Sequence, residues 1–247
     1  MLNKCAPIVL AFALAASAAA APDKPQDLTL KADDGVALYG QFYRAEHPKA
    51  IILLFHQAGS NYAEYAEIAP KLVQQGYSAL AIDQRAGGDM FGRDNQTVKH
   101  MGHNGKYLEA EKDLEAALAY AKQQHLPIAV WGSSYSSSLV FLLAAQHPDD
   151  IKALLSFSPG EYLGAKDMVQ SAAARDKLPI YVTSAKDKEE IDSATKIMSA
   201  SPSTIKVQFI PQIAGVHGSS TLLTARNPKG AAENWQAVLA FLSKVFP

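Results

Sequence analysis

A mostly parallel, doubly wound α/β sheet with helices on both faces is predicted by three observations. Short unbroken apolar runs such as AIILLF (Ala50 to Phe55) recur along the chain and read as strands buried on both faces. Segments with helical apolar spacing lie between these runs, so strand and helix alternate. Clusters of Gly, Ser, His, Asp and Arg follow the runs, at the strand ends where such sheets bind ligands.

The elements follow in order. Asp27 to Ala45 alternates apolar and polar residues on either side of Asp34-Gly35, which predicts a β-hairpin with a two-residue turn at the sheet edge. After Ala50 to Phe55, the segment Tyr62 to Gln75 sets Tyr65, Ile68, Leu72 and Val73 on one helical face, and Gly76 ends it. Ser78 to Ile82 is a second buried strand. From Ala86 to about Gly105 the chain is polar and Gly-rich without a period, a long connection of the kind that borders sites. Tyr107 to Lys122 is a helix. Ile128 to Ala145 reads as strand, sharp turn and buried helix. Ala153 to Phe157, Pro179 to Thr183 and Lys206 to Ile210 are further strands, with a helix opening after Asp187 and an amphipathic helix carrying Trp235, Val238, Leu239, Leu242 and Phe246 at the end.

Within the sharp turn, Gly132-Ser133-Ser134-Tyr135-Ser136 follows G-x-S-x-G with Ser at the last glycine position. Small residues two before and two after the central serine let strand and helix close together, and Ser134 projects from the tip. On these five residues alone, a serine that merely caps the helix is an equal alternative. With this turn, the chain resembles the α/β-hydrolase family along nearly all of residues 21–247, and the absence of space for a cap domain resembles its dienelactone-hydrolase branch. The resemblance implies a Ser-acid-His order. Ser134, Asp187 and His217 occur in that order, each past a strand, as nucleophile, orienting carboxylate and general base. Asp187 with Glu190 also forms a D-x-x-E pair that could be a plain helix cap, and Glu189 and Glu190 are rival carboxylates. His56-Gln57-Ala58-Gly59 resembles the family's HGxG loop, with Gln57 where Gly is usual. It implies an oxyanion hole of the Ala58 and Tyr135 backbone N–H groups, with Gln57 as substitute for Ala58. Arg85, with Glu161, is a candidate for binding a substrate carboxylate; the alternative is that Arg85 pairs with Asp83, Asp89 or Glu161 and stiffens its loop.

The chain has 247 residues, 48% hydrophobic and 19% charged, with a net charge of −1. That suits one sizeable core and gives no field to recruit nucleic acid or anionic lipid. Residues 1–20 read as a secretory signal peptide, because the apolar run from Ala6 to Ala16 is shorter than the about 20 residues a spanning helix needs, and Ala18-Ala19-Ala20 supplies a cleavage site. Its removal takes Cys5, the only cysteine, and leaves a single domain of residues 21–247 without thiol or disulfide. His100 and His103 lack the further ligands a zinc site needs. The expectation is an exported, periplasmic or secreted monomeric serine hydrolase without metal, cofactor or lasting membrane anchor, cleaving small-molecule carboxylic esters or lactones through an acyl-enzyme. The alternatives are a catalytically silent binding protein of the same fold, an acyltransferase or a peptidase.

Overall fold

The computed structural model describes residues 24–247. The expected signal peptide, Cys5 included, lies outside the described residues. Among the described residues eight strands form one sheet: β1 (Gln26–Lys31), β2 (Ala37–Tyr43), β3 (Ala50–Phe55), β4 (Tyr77–Ile82), β5 (Ile128–Ser133), β6 (Ile151–Phe157), β7 (Ile180–Thr183) and β8 (Lys206–Phe209). Their spatial order is β1-β2-β4-β3-β5-β6-β7-β8, with β1 and β2 antiparallel to their neighbours and the rest parallel.

The α-helices are α1 (Ile68–Gln74), α2 (Gln96–Met101), α3 (Glu111–Lys122), α4 (Tyr135–Gln146), α5 (Met168–Ala173), α6 (Lys188–Ala200) and α7 (Ala231–Val245). The unbroken apolar runs are explained by two cores, one on each face. Ile51, Leu53 and Phe55 of β3 join α3, α4 and α5 on one side, while Ile52 and Leu54 meet α1 and α7 on the other. Helix α4 is buried over almost its whole length, so its sequence carries no polar face. Only α5 occupies the stretch between β6 and β7, and among the described residues no large cap covers the sheet's carboxyl edge.

Two local expectations are corrected. The hairpin turn is longer than two residues: Ala32 and Val36 still pair, and Gly35 at φ 88° closes a three-residue loop in the left-handed conformation. The connection from Ala86 to Gly105 is also more ordered than its composition suggests, since it contains α2. Asn95 caps that helix through Val98 N–H and donates to the Ser60 and Gln84 carbonyls, while Asn61 donates to the Gly88, Met90 and Arg93 carbonyls. Side-chain amides supply order that hydrophobic periodicity does not report.

At the sheet's opposite edge, Asp176 is 1% exposed and neither carboxylate oxygen has a partner among the described residues. Burial pushes its pKa up to about 8. The folded chain therefore keeps a proton that the unfolded chain has released, and stability falls as pH rises from about 4 through about 8. Asp176→Asn is expected to raise stability at pH 9 by on the order of 2–5 kcal/mol and to flatten this slope, as read by denaturant unfolding across pH. Parallel pH curves for the two proteins would contradict the assignment.

Candidate active site

Ser134 stands between β5 and α4 at φ 57°, ψ −121°, a conformation that L-residues adopt only where the surroundings enforce it. Its backbone N–H is held by the Phe157 carbonyl at the end of β6, 2.9 Å away. Gly132 is obligatory, because a Cβ there would lie 2.3 Å from the Ser136 carbonyl oxygen. Ser136 fits the last glycine position because its hydroxyl is used: Oγ accepts the Ser133 N–H at 2.8 Å and reaches the Phe55 carbonyl at 2.6 Å, joining the ends of β5 and β3. Ser133 is fully buried with its Oγ accepting from Ser219 N–H, so of the two elbow serines only Ser134 faces the histidine.

His217 follows β8 and lies 2.8 Å through Nε2 from Ser134 Oγ. Gly218 behind it is at φ 66°, and a Cβ there would lie 2.5 Å from Ser133 Oγ, so the loop can pack this close only with glycine. The carboxylate on His217 Nδ1 is Glu190 Oε1, at 2.6 Å, and not the expected Asp187. Asp187 is the N-cap of α6, accepting Glu190 N–H at 3.0 Å, and its side chain is spent on the helix. Glu190, in the first turn of α6, turns inward: Oε2 accepts Ala185 N–H at 2.8 Å and Oε1 meets the imidazole. The D-x-x-E signal is thus a helix start, and its glutamate is the acid that reaches the histidine.

Burial works to raise the Glu190 carboxyl pKa, but hydrogen bonds from His217, Ser158 and Ala185 N–H outweigh it and hold the group below its ordinary value. The Glu190 hydrogen bond in turn raises His217 above its ordinary value, against partial burial. With 40% of its side chain exposed, His217 stands in an open site.

The loop expected to supply the oxyanion hole follows β3. His56 is fully buried and structural: Nε2 accepts Gln84 N–H at 2.9 Å, which leaves Nδ1–H to donate to the Gln57 carbonyl at 2.7 Å. Burial lowers its pKa and keeps it neutral. Gln57 N–H is taken by Glu64 Oε2 at 2.9 Å, so Gln57 is not a substitute donor. Ala58 N–H has no acceptor among the described residues. Tyr135 is the first residue of α4, where helix N–H groups lack intrahelical partners.

Neither expected substrate contact is free. Arg85 is 4% exposed, forked onto Asp113 by Nε and Nη2 (2.9 and 2.7 Å) and bound to Asp34 by Nη1 at 2.6 Å. Those partners differ from the Asp83, Asp89 or Glu161 weighed from sequence, because Asp113 lies on α3 and Asp34 in the hairpin loop, distant in sequence. Asp83 instead pairs with Arg93 at 2.9 Å. Glu161 accepts Val169 and Gln170 N–H, both at 2.9 Å, at the start of α5. Arg85→Ala is therefore expected to destabilise the fold by about 3–5 kcal/mol, since it strands the buried Asp113, while leaving the preference between an acidic ester and its methyl ester unchanged. Thermal unfolding and paired kinetics check both halves.

The exposed large apolar side chains include Met90, Tyr107, Leu108 and Tyr162. Tyr107 stacks on Tyr135 with centroids 4.5 Å apart, and Met90 N–H donates to the Gly59 carbonyl, which places both beside the elbow and the oxyanion loop. The connection after β4 thus borders the site at Met90. His100 stacks on Tyr39 at 4.6 Å, away from it.

Sheet order, strained elbow and serine–histidine–carboxylate chain together define an α/β hydrolase. The family model described as serine aminopeptidase, S33 matches residues 46–196, and the chain belongs to that family. Solved structures share the fold at low identity. A dienelactone hydrolase from Anabaena variabilis has a TM-score of 0.69 at 18% identity, covering 91% of this chain and 100% of that one. A thermostable carboxyl esterase from Bacillus coagulans gives 0.69 at 13% (91% and 100%), and an esterase from Pyrococcus furiosus 0.65 at 17% (91% and 92%). No curated protein matches the sequence.

Proposed function

We propose that this protein is an exported, monomeric serine esterase that cleaves small, neutral carboxylic esters, lactones among them, through an acyl-enzyme. The observation that carries the reading is the relay from Ser134 Oγ to His217 Nε2 (2.8 Å) and from His217 Nδ1 to Glu190 Oε1 (2.6 Å). A serine hydroxyl is a weak nucleophile until a neighbouring base takes its proton. In the reading, neutral His217 accepts that proton as Ser134 Oγ attacks the ester carbonyl. The oxyanion develops toward the Ala58 and Tyr135 N–H groups, each worth about 100- to 1000-fold when aligned. The imidazolium, held in orientation by Glu190, then protonates the leaving alkoxide. Water repeats the sequence on the acyl-enzyme, returning the carboxylic acid and free Ser134.

Substrate character follows from the rim. Met90 and the Tyr107 ring, beside the oxyanion loop and the elbow, favour a neutral ester with an apolar acyl or alcohol group, and Asp34 and Asp113 leave Arg85 a single Nη1–H, too few for a paired grip on a substrate carboxylate. The family description favours a second reading, hydrolysis of an N-terminal amide bond by the same residues. A panel of nitrophenyl esters, lactones and aminoacyl nitroanilides separates them. The expected result is the highest kcat/KM on neutral apolar esters; faster turnover of the anilides with silent esters would overturn the ester reading.

A further inference from the structure

Glu64 is a second carboxylate behind the reaction centre, and the acyl-transfer steps do not call on it. It sits in a tight 3-10 turn (Tyr62–Tyr65) after the oxyanion loop and is fully buried. Asn61 fixes that turn, its Oδ1 accepting Ala63 N–H at 2.9 Å while its amide donates to the Met90 carbonyl at 2.6 Å. Glu64 Oε2 accepts Gln57 N–H at 2.9 Å; Oε1 has no partner among the described residues.

A buried acceptor for one N–H needs no charge. A neutral amide or hydroxyl would serve at a far smaller desolvation cost than a carboxylate with one oxygen unpaired. Burial pushes the Glu64 carboxyl up to about 7, despite Ser133, Gln57 N–H, Ser60 and His217 pulling it down.

We infer that Glu64 is a positioning residue for acyl transfer: it holds the oxyanion loop by Gln57 N–H so that Ala58 N–H faces the site. The inference rests on the esterase reading and deepens it. By occupying the Gln57 donor, Glu64 also fixes the loop at a position where a glycine is absent, which gives Gln57 a defined backbone geometry.

The test uses the full chain with Glu64→Gln and Glu64→Ala. The amide oxygen of Glu64→Gln still accepts Gln57 N–H, so kcat at the pH optimum is expected within about threefold of the wild type. Glu64→Ala frees the loop and is expected to lose about 10- to 1000-fold in kcat with KM little changed, the scale of a displaced oxyanion donor. A folded Glu64→Ala that keeps its kcat and loses only thermal stability would overturn the positioning role. If Glu64→Ala does not fold, Glu64→Gln decides alone: a folded Glu64→Gln whose kcat falls by more than about tenfold would overturn the account, because an acceptor for Gln57 N–H is still present. Ester turnover by the wild type is measured alongside: its absence defeats the esterase reading, whereas normal wild-type turnover with unaltered variants defeats this inference only.

Discussion

Ser134→Ala is expected to lower kcat on an apolar ester by about a million-fold, because the members of such a relay act as a unit and the residual rate comes only from binding and the oxyanion donors. The fold should survive, since Ser134 Oγ contacts only the solvent-accessible imidazole while the elbow is held by backbone and by Ser136. Ser133→Ala is the informative contrast. Ser133 Oγ accepts Ser219 N–H in a fully buried position, so its loss should cost about 1–3 kcal/mol of stability and little activity. A dead Ser133→Ala with a competent Ser134→Ala would move the nucleophile by one residue.

The second large effect concerns the acid. Glu190→Gln is expected to lower kcat by about 10,000-fold, the scale on which a neutralised orienting carboxylate leaves the histidine in the wrong tautomer. Asp187→Asn should be nearly silent, because asparagine caps a helix as well as aspartate does. The pH profile adds an independent sign. His217 must be neutral to accept the serine proton, so kcat/KM should rise with pH through an ionisation above the ordinary histidine value, to which the Glu190 hydrogen bond raises it. In Glu190→Gln the residual activity should rise at lower pH. An unchanged midpoint, or a catastrophic Asp187→Asn, would return the role to Asp187.

Most of the sheet and the longer helices could be read from the sequence because each buried strand is apolar on both faces and helices such as α3 and α7 keep a 3.6-residue period, whereas α4 is apolar all round and α2 is held by side-chain amides. The elbow was legible for a similarly local reason: Gly132 and Ser136 bracket Ser134 at a spacing that only a close strand–helix junction needs. The acid was not legible from chain order alone. Asp187 and Glu190 lie one helical turn apart, and which of them faces the histidine depends on how α6 starts, a geometry set by the cap itself. Arg85 stood open between a substrate contact and a structural pair, and its actual partners were not legible for another reason. Its partners Asp34 and Asp113 come from the hairpin loop and α3, which only the folded sheet brings together. Glu161 was likewise spent on the start of α5, where a carboxylate meets free N–H groups. Glu64 gave no signal at all, since a glutamate off the apolar face of the helix expected over Tyr62 to Gln75 looks solvated, whereas it lies buried in a 3-10 turn before α1.

The central claim is that Ser134 is the activated nucleophile, and covalent labelling tests it most directly. Residues 21–247 exposed to a serine-reactive phosphonate, digested and sequenced by mass spectrometry, should carry one adduct on Ser134. Labelling should be lost in Ser134→Ala and strongly slowed in Glu190→Gln. An adduct on Ser133 or elsewhere, or none on a folded protein, would contradict the account.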